Sequence, residues 1–243
     1  MIKCSDVKKF TAKYVFLCFI GPMFYITFSN YNEISSGLLQ SRFALNMQLA
    51  SAYMSIPIFL STCLNPFFGY AFDKLGARPM FLLYAIMLYF VAHSALSFFP
   101  EAYVGFPEYR CVFPLILMGV GYSFFLSTFY SSIPYVVDPS VLGTAYGILV
   151  CFQSIMTTLG TFLVAFLIDH TLEYKNGFFA VTCFMMCLSI CGSIIASKFF
   201  YEDYSKGQIL FSNRPAFVLE YHKNKELKSH QLEVSKTEIV INK

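Results

Sequence analysis

Charge is what this chain has least of. Aspartate, glutamate, lysine and arginine make up 13% of its 243 residues, against about 25% in soluble domains. The shortage is not evenly spread. Residues 14–32, 43–72, 79–100, 111–137, 139–168 and 176–197 contain none of the four. Each run reaches or exceeds the roughly 18 residues that mark a bilayer-crossing helix. Helices of that length and composition have no place in a soluble protein this small, so the absence predicts six transmembrane helices. The first run is the most interrupted, by Gly21, Pro22 and Asn30, and is expected to give the shortest helix.

Other absences exclude other classes. No small-residue cleavage site follows the first apolar run, which is too long for a signal-peptide core, so no cleavable leader is expected. No Asn-x-Ser/Thr acceptor occurs. Of the 8 cysteines, Cys18, Cys63, Cys151, Cys183, Cys187 and Cys191 lie in apolar runs, where free cysteine is expected to act as a small packing residue. Cys183, Cys187 and Cys191 share one helix face, but no histidine or carboxylate joins them. Neither a metal site nor any cofactor is therefore expected. The runs also lack carboxylates: Glu33, Asp138 and Asp169 stand at helix ends. Proton coupling usually wants an embedded acid or histidine, so facilitated uniport is the simpler expectation. His93, on the third helix, is read as structural. No paired aspartates and no serine–histidine motif stand at membrane depth, so the chain is not expected to be an enzyme.

The remaining charges are sorted. Fourteen of the 17 lysines and arginines fall in the amino-terminal tail, at Lys74 and Arg78, or from Lys198 onward; only Arg42, Arg110 and Lys175 fall on the other side. Basic residues gather on the cytoplasmic face. Both termini are therefore expected there, which requires an even number of crossings. The basic tails read as topology anchors at the lipid bilayer, with no nucleic-acid partner. The expected domains are a cytoplasmic tail at 1–12, a six-helix membrane unit at 13–200, and a cytoplasmic, solvated tail at 201–243. Within that tail, 220–232 is at most a short polar helix.

Polar residues inside a bilayer tend to face other helices or water. Read at helical spacing, the first run aligns Tyr25, Thr27, Ser29 and Asn30. The second aligns Ser51, Ser55, Thr62, Asn65 and Gly69. The fourth aligns Gly119, Ser123, Ser127, Tyr130, Ser131 and Pro134. The fifth aligns Gly143, Gly147, Cys151, Ser154, Thr158 and Thr161, with Gln153 beside them. The third and sixth runs are apolar nearly all round. Helices one, two, four and five are thus expected to look inward, and three and six outward. The pattern occurs twice, as in a 3+3 inverted repeat. Helix packing through small residues explains such stripes too, and it is the main reading for Gly143 and Gly147.

Residues 69–79, G-Y-A-F-D-K-L-G-A-R-P, form the short link between the second and third helices. This stretch resembles the G-x-x-x-D-[RK]-x-G-x-[RK] loop of the major facilitator superfamily, with Gly69, Asp73, Lys74, Gly76 and Arg78 all matching. Residues 134–147, P-Y-V-V-D-P-S-V-L-G-T-A-Y-G, resemble the helix 10 to helix 11 junction of its domain-containing-protein-1 type, a branch of lysosomal dipeptide transporters. Gln153 falls on a glutamine of that branch. Tyr130 stands where the branch has tryptophan, Ser131 where it has proline, and Val150 and Ser154 where it has amides.

The resemblance implies an all-α membrane fold equivalent to helices 7–12 of a twelve-helix carrier. It further implies rocker-switch transport of a small organic solute, such as a dipeptide, in a lysosomal or vacuolar membrane. Tyr25, Asn30, Tyr130 and Gln153 are the candidate cavity residues, each offering a hydrogen bond without a fixed charge. The 69–78 loop is the candidate cytoplasmic gate. The partner that completes the carrier is expected to be a missing amino-terminal half or a second copy in a homodimer. The alternative is a non-transporting half-carrier serving as a membrane partner or scaffold.

Overall fold

The computed structural model describes residues 10–98, 110–172, 177–205 and 210. Helix α1 spans Ala12–Phe43, α2 Met47–Met54, α3 Ile56–Leu75, α4 Arg78–Phe98, α5 Val112–Val136, α6 Leu142–His170 and α7 Phe178–Ser205. The α2–α3 pair forms one crossing, broken only at Ser55, and α6 is led in by a 3-10 turn at Pro139–Val141. Among the described residues, six helical units are long and apolar enough to cross a membrane. The chain is a multi-pass membrane protein.

Local chemistry sets the helix ends. The Thr11 hydroxyl accepts from the Tyr14 N–H at 3.3 Å, and Asn46 caps α2 by accepting from the Leu49 N–H at 2.8 Å. Such caps satisfy N–H groups that the helix itself leaves without partners. Pro57 sits in the first turn of α3, where the proline's missing N–H is tolerated, and this marks the break. Gly76 ends α3 with φ 68°, its N–H donating to Phe72 O at 2.9 Å. That positive φ is cheap for glycine alone. Asp138 caps the 3-10 turn through the Ser140 N–H at 2.8 Å.

Packing repeats with the threefold grouping of the helices. In the first group α3 packs on α5, and in the second α6 packs on α1; likewise α4 packs on α5, and α7 on α1. The contacts α4–α7 and α1–α5 map onto themselves when the groups are exchanged. This is the contact pattern of a 3+3 repeat. At the centre, the rings of Phe24 and Phe125 stack at 3.8 Å, and Phe129 stacks on Phe125 at 4.6 Å. Gly160 lets α6 approach α1: a Cβ there would lie 2.7 Å from Ile26 Cγ2. In lipid, such close packing replaces the hydrophobic drive that water supplies elsewhere.

Several expectations need correction. The first crossing is the longest single helix, at 32 residues. Pro22 interrupts the sequence without breaking the helix, since its side chain is buried in the bundle and neighbouring helices hold the backbone around it. The helix then runs past Glu33, which is exposed. Within this chain α4 has 44% of its apolar window buried, and the α2–α3 and Pro139–His170 crossings, expected to look inward, are the ones left least covered, at 17%. Cys63, Cys151, Cys187 and Cys191 are exposed rather than packed. The last helix continues to Ser205. Beyond it, Leu210 is fully buried and donates its N–H to Asp203 Oδ2 at 3.1 Å, so this part of the tail is docked. The 220–232 segment lies outside the described residues.

Candidate functional site

Helices α1, α5 and α6 bring a cluster of uncharged polar groups together. The Tyr25 and Tyr130 hydroxyls meet at 3.0 Å. Tyr146 on α6 donates to the Tyr130 carbonyl at 3.0 Å, tying α6 to α5. Gln153 and Tyr122 lie near the Tyr25 hydroxyl. Tyr122 is held in place by stacking on Phe28 at 3.8 Å. Gln153 is buried, and its Oε1 has no hydrogen-bond partner among the described residues. A buried amide oxygen left so costs about 1–3 kcal/mol, which a polar ligand reaching it relieves. Hydroxyls and amides offer both donors and acceptors. They suit a polar organic ligand and give no counter-charge to an ion.

Three of the four expected cavity residues, Tyr25, Tyr130 and Gln153, therefore converge. Asn30 stands apart. It is fully buried, and its Oδ1 accepts from the Thr161 hydroxyl at 2.6 Å. This clasps α1 to α6 next to the Gly160 close approach. Asn65 makes the equivalent clasp in the first group, accepting from Ser127 at 2.6 Å. Tyr122 and Tyr146 were not singled out from the sequence. Tyr146 lies within L-G-T-A-Y-G, so the motif contained the signal. Tyr122 stands next to Ser123 of the fourth-helix stripe but off its helical spacing, so periodicity did not select it.

The 69–79 link is built around Arg78. Its side chain is 2% exposed, and its Nη2 donates to Asp73 Oδ1 and to the Tyr135 hydroxyl, each at 3.0 Å. Its guanidinium also lies 4.2 Å from the centroid of the Tyr135 ring. A planar, permanently charged guanidinium can make these contacts at once. One residue thus ties the end of α3 and the start of α4 to the end of α5. Lys74 lies 4.4 Å from the centroid of the exposed Tyr70 ring. Gly69, Gly143 and Gly147 meet nothing within 4 Å. Among the described residues, no helix packs against Gly143 and Gly147.

His93 is fully buried, with its ring at 5.8 Å from Tyr31 and 5.9 Å from Tyr89. Neither ring nitrogen has a hydrogen-bond partner among the described residues. Among the described residues, no group of histidine, cysteine, aspartate or glutamate is placed to hold a metal ion.

The family model described as Major Facilitator Superfamily matches residues 16–228. Curated relatives include the lysosomal dipeptide transporter MFSD1 of Mus musculus, 26% identical over 78% of this chain and 38% of the relative. The Homo sapiens protein of that name is 23% identical over 88% of this chain and 43% of its own length. The Gallus gallus protein is 24% identical over 87% and 45%. This chain spans less than half the length of these curated relatives.

Proposed function

The chain belongs to the major facilitator superfamily, and from that premise we propose that it forms the second six-helix half of a carrier for a small organic solute. The observation that carries this reading is the convergence of Tyr25, Tyr130 and Gln153 into one uncharged polar cluster. Its similarity to lysosomal dipeptide transporters makes a dipeptide the leading substrate and the lysosomal membrane the leading location. The tyrosines and Gln153 would meet the substrate's amide and polar side-chain groups. The fixed charges that pair with its termini would come from the other half. The apolar runs of this chain hold no carboxylate, so uniport is the simpler scheme and any group that couples transport to protons would also come from the other half.

The lightly covered faces of α3 and α6 support assembly. Both carry large apolar side chains in the open, among them Phe59 at 72% and Phe162 at 71% exposure. The bare Gly69, Gly143 and Gly147 lie on the same two crossings. A second six-helix unit, an amino-terminal half or another copy of this chain, would cover them. In the rocker-switch reading, the two units tilt about the tyrosine cluster. The Arg78-centred link latches one side, which the basic-residue bias makes the cytoplasmic side, with both termini there.

The test begins with the native mass, measured with an antibody to residues 220–243 and peptide mapping. A species near 27.7 kDa points to assembly of copies, and a larger one with upstream peptides points to a single-chain carrier. Dipeptide uptake into proteoliposomes then follows on whichever assembly is found. Tyr25→Phe, Tyr130→Phe and Gln153→Leu should each lower uptake at least tenfold while Asn46→Ala does not. A well-folded assembly that moves no dipeptide or related solute would leave the non-transporting scaffold as the better account.

A further inference from the structure

On another part of the bundle, α7 crosses α4 and α1 and leaves a groove of about 700 Å³. Phe16, Phe90, Ile190 and Ile194 form its apolar wall. Two serines also line it, but their hydroxyls are already engaged: Ser193 donates to Ser189 O at 2.8 Å and lies 3.4 Å from Met87 Sδ, and Ser197 donates to Ser193 O at 2.7 Å. The wall therefore offers a ligand little but hydrocarbon. It follows α7 for about 12 Å from Ile190 to Lys198.

Lys198 lines one end of the groove, with Tyr201 and Glu202 beside it. It is exposed and has no ion-pair partner among the described residues. The other charged group at this rim, Glu202, is half-buried and makes an interaction of its own. Lys198 is also the first charge after the apolar run 176–197, so it marks where α7 leaves hydrocarbon for the headgroup region. An apolar slot with one cation at its polar end is complementary to an amphiphile with an anionic head and a long apolar tail.

We propose that this groove binds an anionic glycerophospholipid, with an acyl chain along α7 and the phosphate on Lys198. The site is separate from the tyrosine cluster and does not depend on what the carrier moves. A basic side chain at the membrane surface favours an anionic lipid about fivefold.

Native mass spectrometry of the full chain, titrated with phosphatidylglycerol or phosphatidylcholine, tests the assignment. Phosphatidylglycerol adducts should exceed phosphatidylcholine adducts about fivefold. That preference should vanish in Lys198→Gln and persist in Lys198→Arg. Ile190→Trp with Ile194→Trp, both at exposed positions, should fill the groove and remove the preferred adduct. Equal binding of the two lipids overturns the proposal. So does an unchanged preference in Lys198→Gln, or a preferred adduct that survives the two tryptophans.

Discussion

Lys13 and Asp203 form the contact most open to a quantitative test. The ammonium lies 2.6 Å from Asp203 Oδ1, across 190 residues of sequence, with side-chain exposures of 11% and 0%. The other carboxylate oxygen takes the Leu210 N–H. The start of α1, the end of α7 and the docked Leu210 thus share one carboxylate. Removing one partner of a buried pair costs about 3–5 kcal/mol, because the survivor remains in low dielectric without its counter-charge. Lys13 keeps some contact with solvent, so the lower end, about 3 kcal/mol, is expected for Lys13→Met. At about 2–4 °C per kcal/mol for a chain of this size, the melting temperature in detergent should fall by roughly 6–12 °C. Asp203→Ala should lose more, since the Leu210 N–H is orphaned as well. The double variant Lys13→Met/Asp203→Leu removes both charges together and should recover at least about 1.5 kcal/mol relative to the sum of the singles. Being buried, the pair should respond weakly to salt. Additive single effects in that double-mutant cycle would refute the reasoning, as would a Lys13→Met variant that melts with the parent.

The Arg78 link gives an asymmetric pair of outcomes. Asp73 is 69% exposed, so Asp73→Asn should change stability by less than about 1 kcal/mol, whereas Arg78→Met, which also strips Tyr135 of its partner, should cost about 2 kcal/mol; equal effects in thermal melts would contradict the geometry. At Gly160 a new Cβ would meet Ile26 Cγ2 at 2.7 Å and Asn30 Nδ2 at 2.8 Å, so Gly160→Ala should destabilise by about 1–3 kcal/mol. Gly147→Ala, with nothing within 4 Å, should leave the melting of the isolated six-helix unit unchanged and weaken only its assembly, read by crosslinking or native mass. Arg42 donates to the carbonyls of Leu96 and Ser97 at the end of α4. Its positive charge suits that helix terminus, and Arg42→Gln should cost about 1–3 kcal/mol in the same melts.

How much of this was readable beforehand depends on the range of the physics. The 69–79 link was legible because its parts are local. Gly76 provides the positive φ, and Asp73 meets Arg78 only five residues on. That Arg78 would also seize Tyr135, 57 residues away, was not legible. The polar stripes named Tyr25, Tyr130 and Gln153 by their chemistry. The same stripes named Asn30, because periodicity shows which residues share a face and not whether that face meets a cavity or a helix. Asn30 meets Thr161.

The sequence by itself determined the number of crossings. Hydrocarbon cannot solvate charge or open backbone, so a long charge-free run must span as a helix. It also determined the grouping in threes, since the polar stripes recur with the helix order. Only the tertiary structure decided which faces are covered, and it left α3 and α6 the barest. It alone turned His93 into the core, joined Lys13 to Asp203, and carried α1 through Pro22 as one helix. Those outcomes depend on neighbours distant in the chain, and in lipid, where apolar faces are not forced together by water, close packing and scarce polar contacts choose the neighbours.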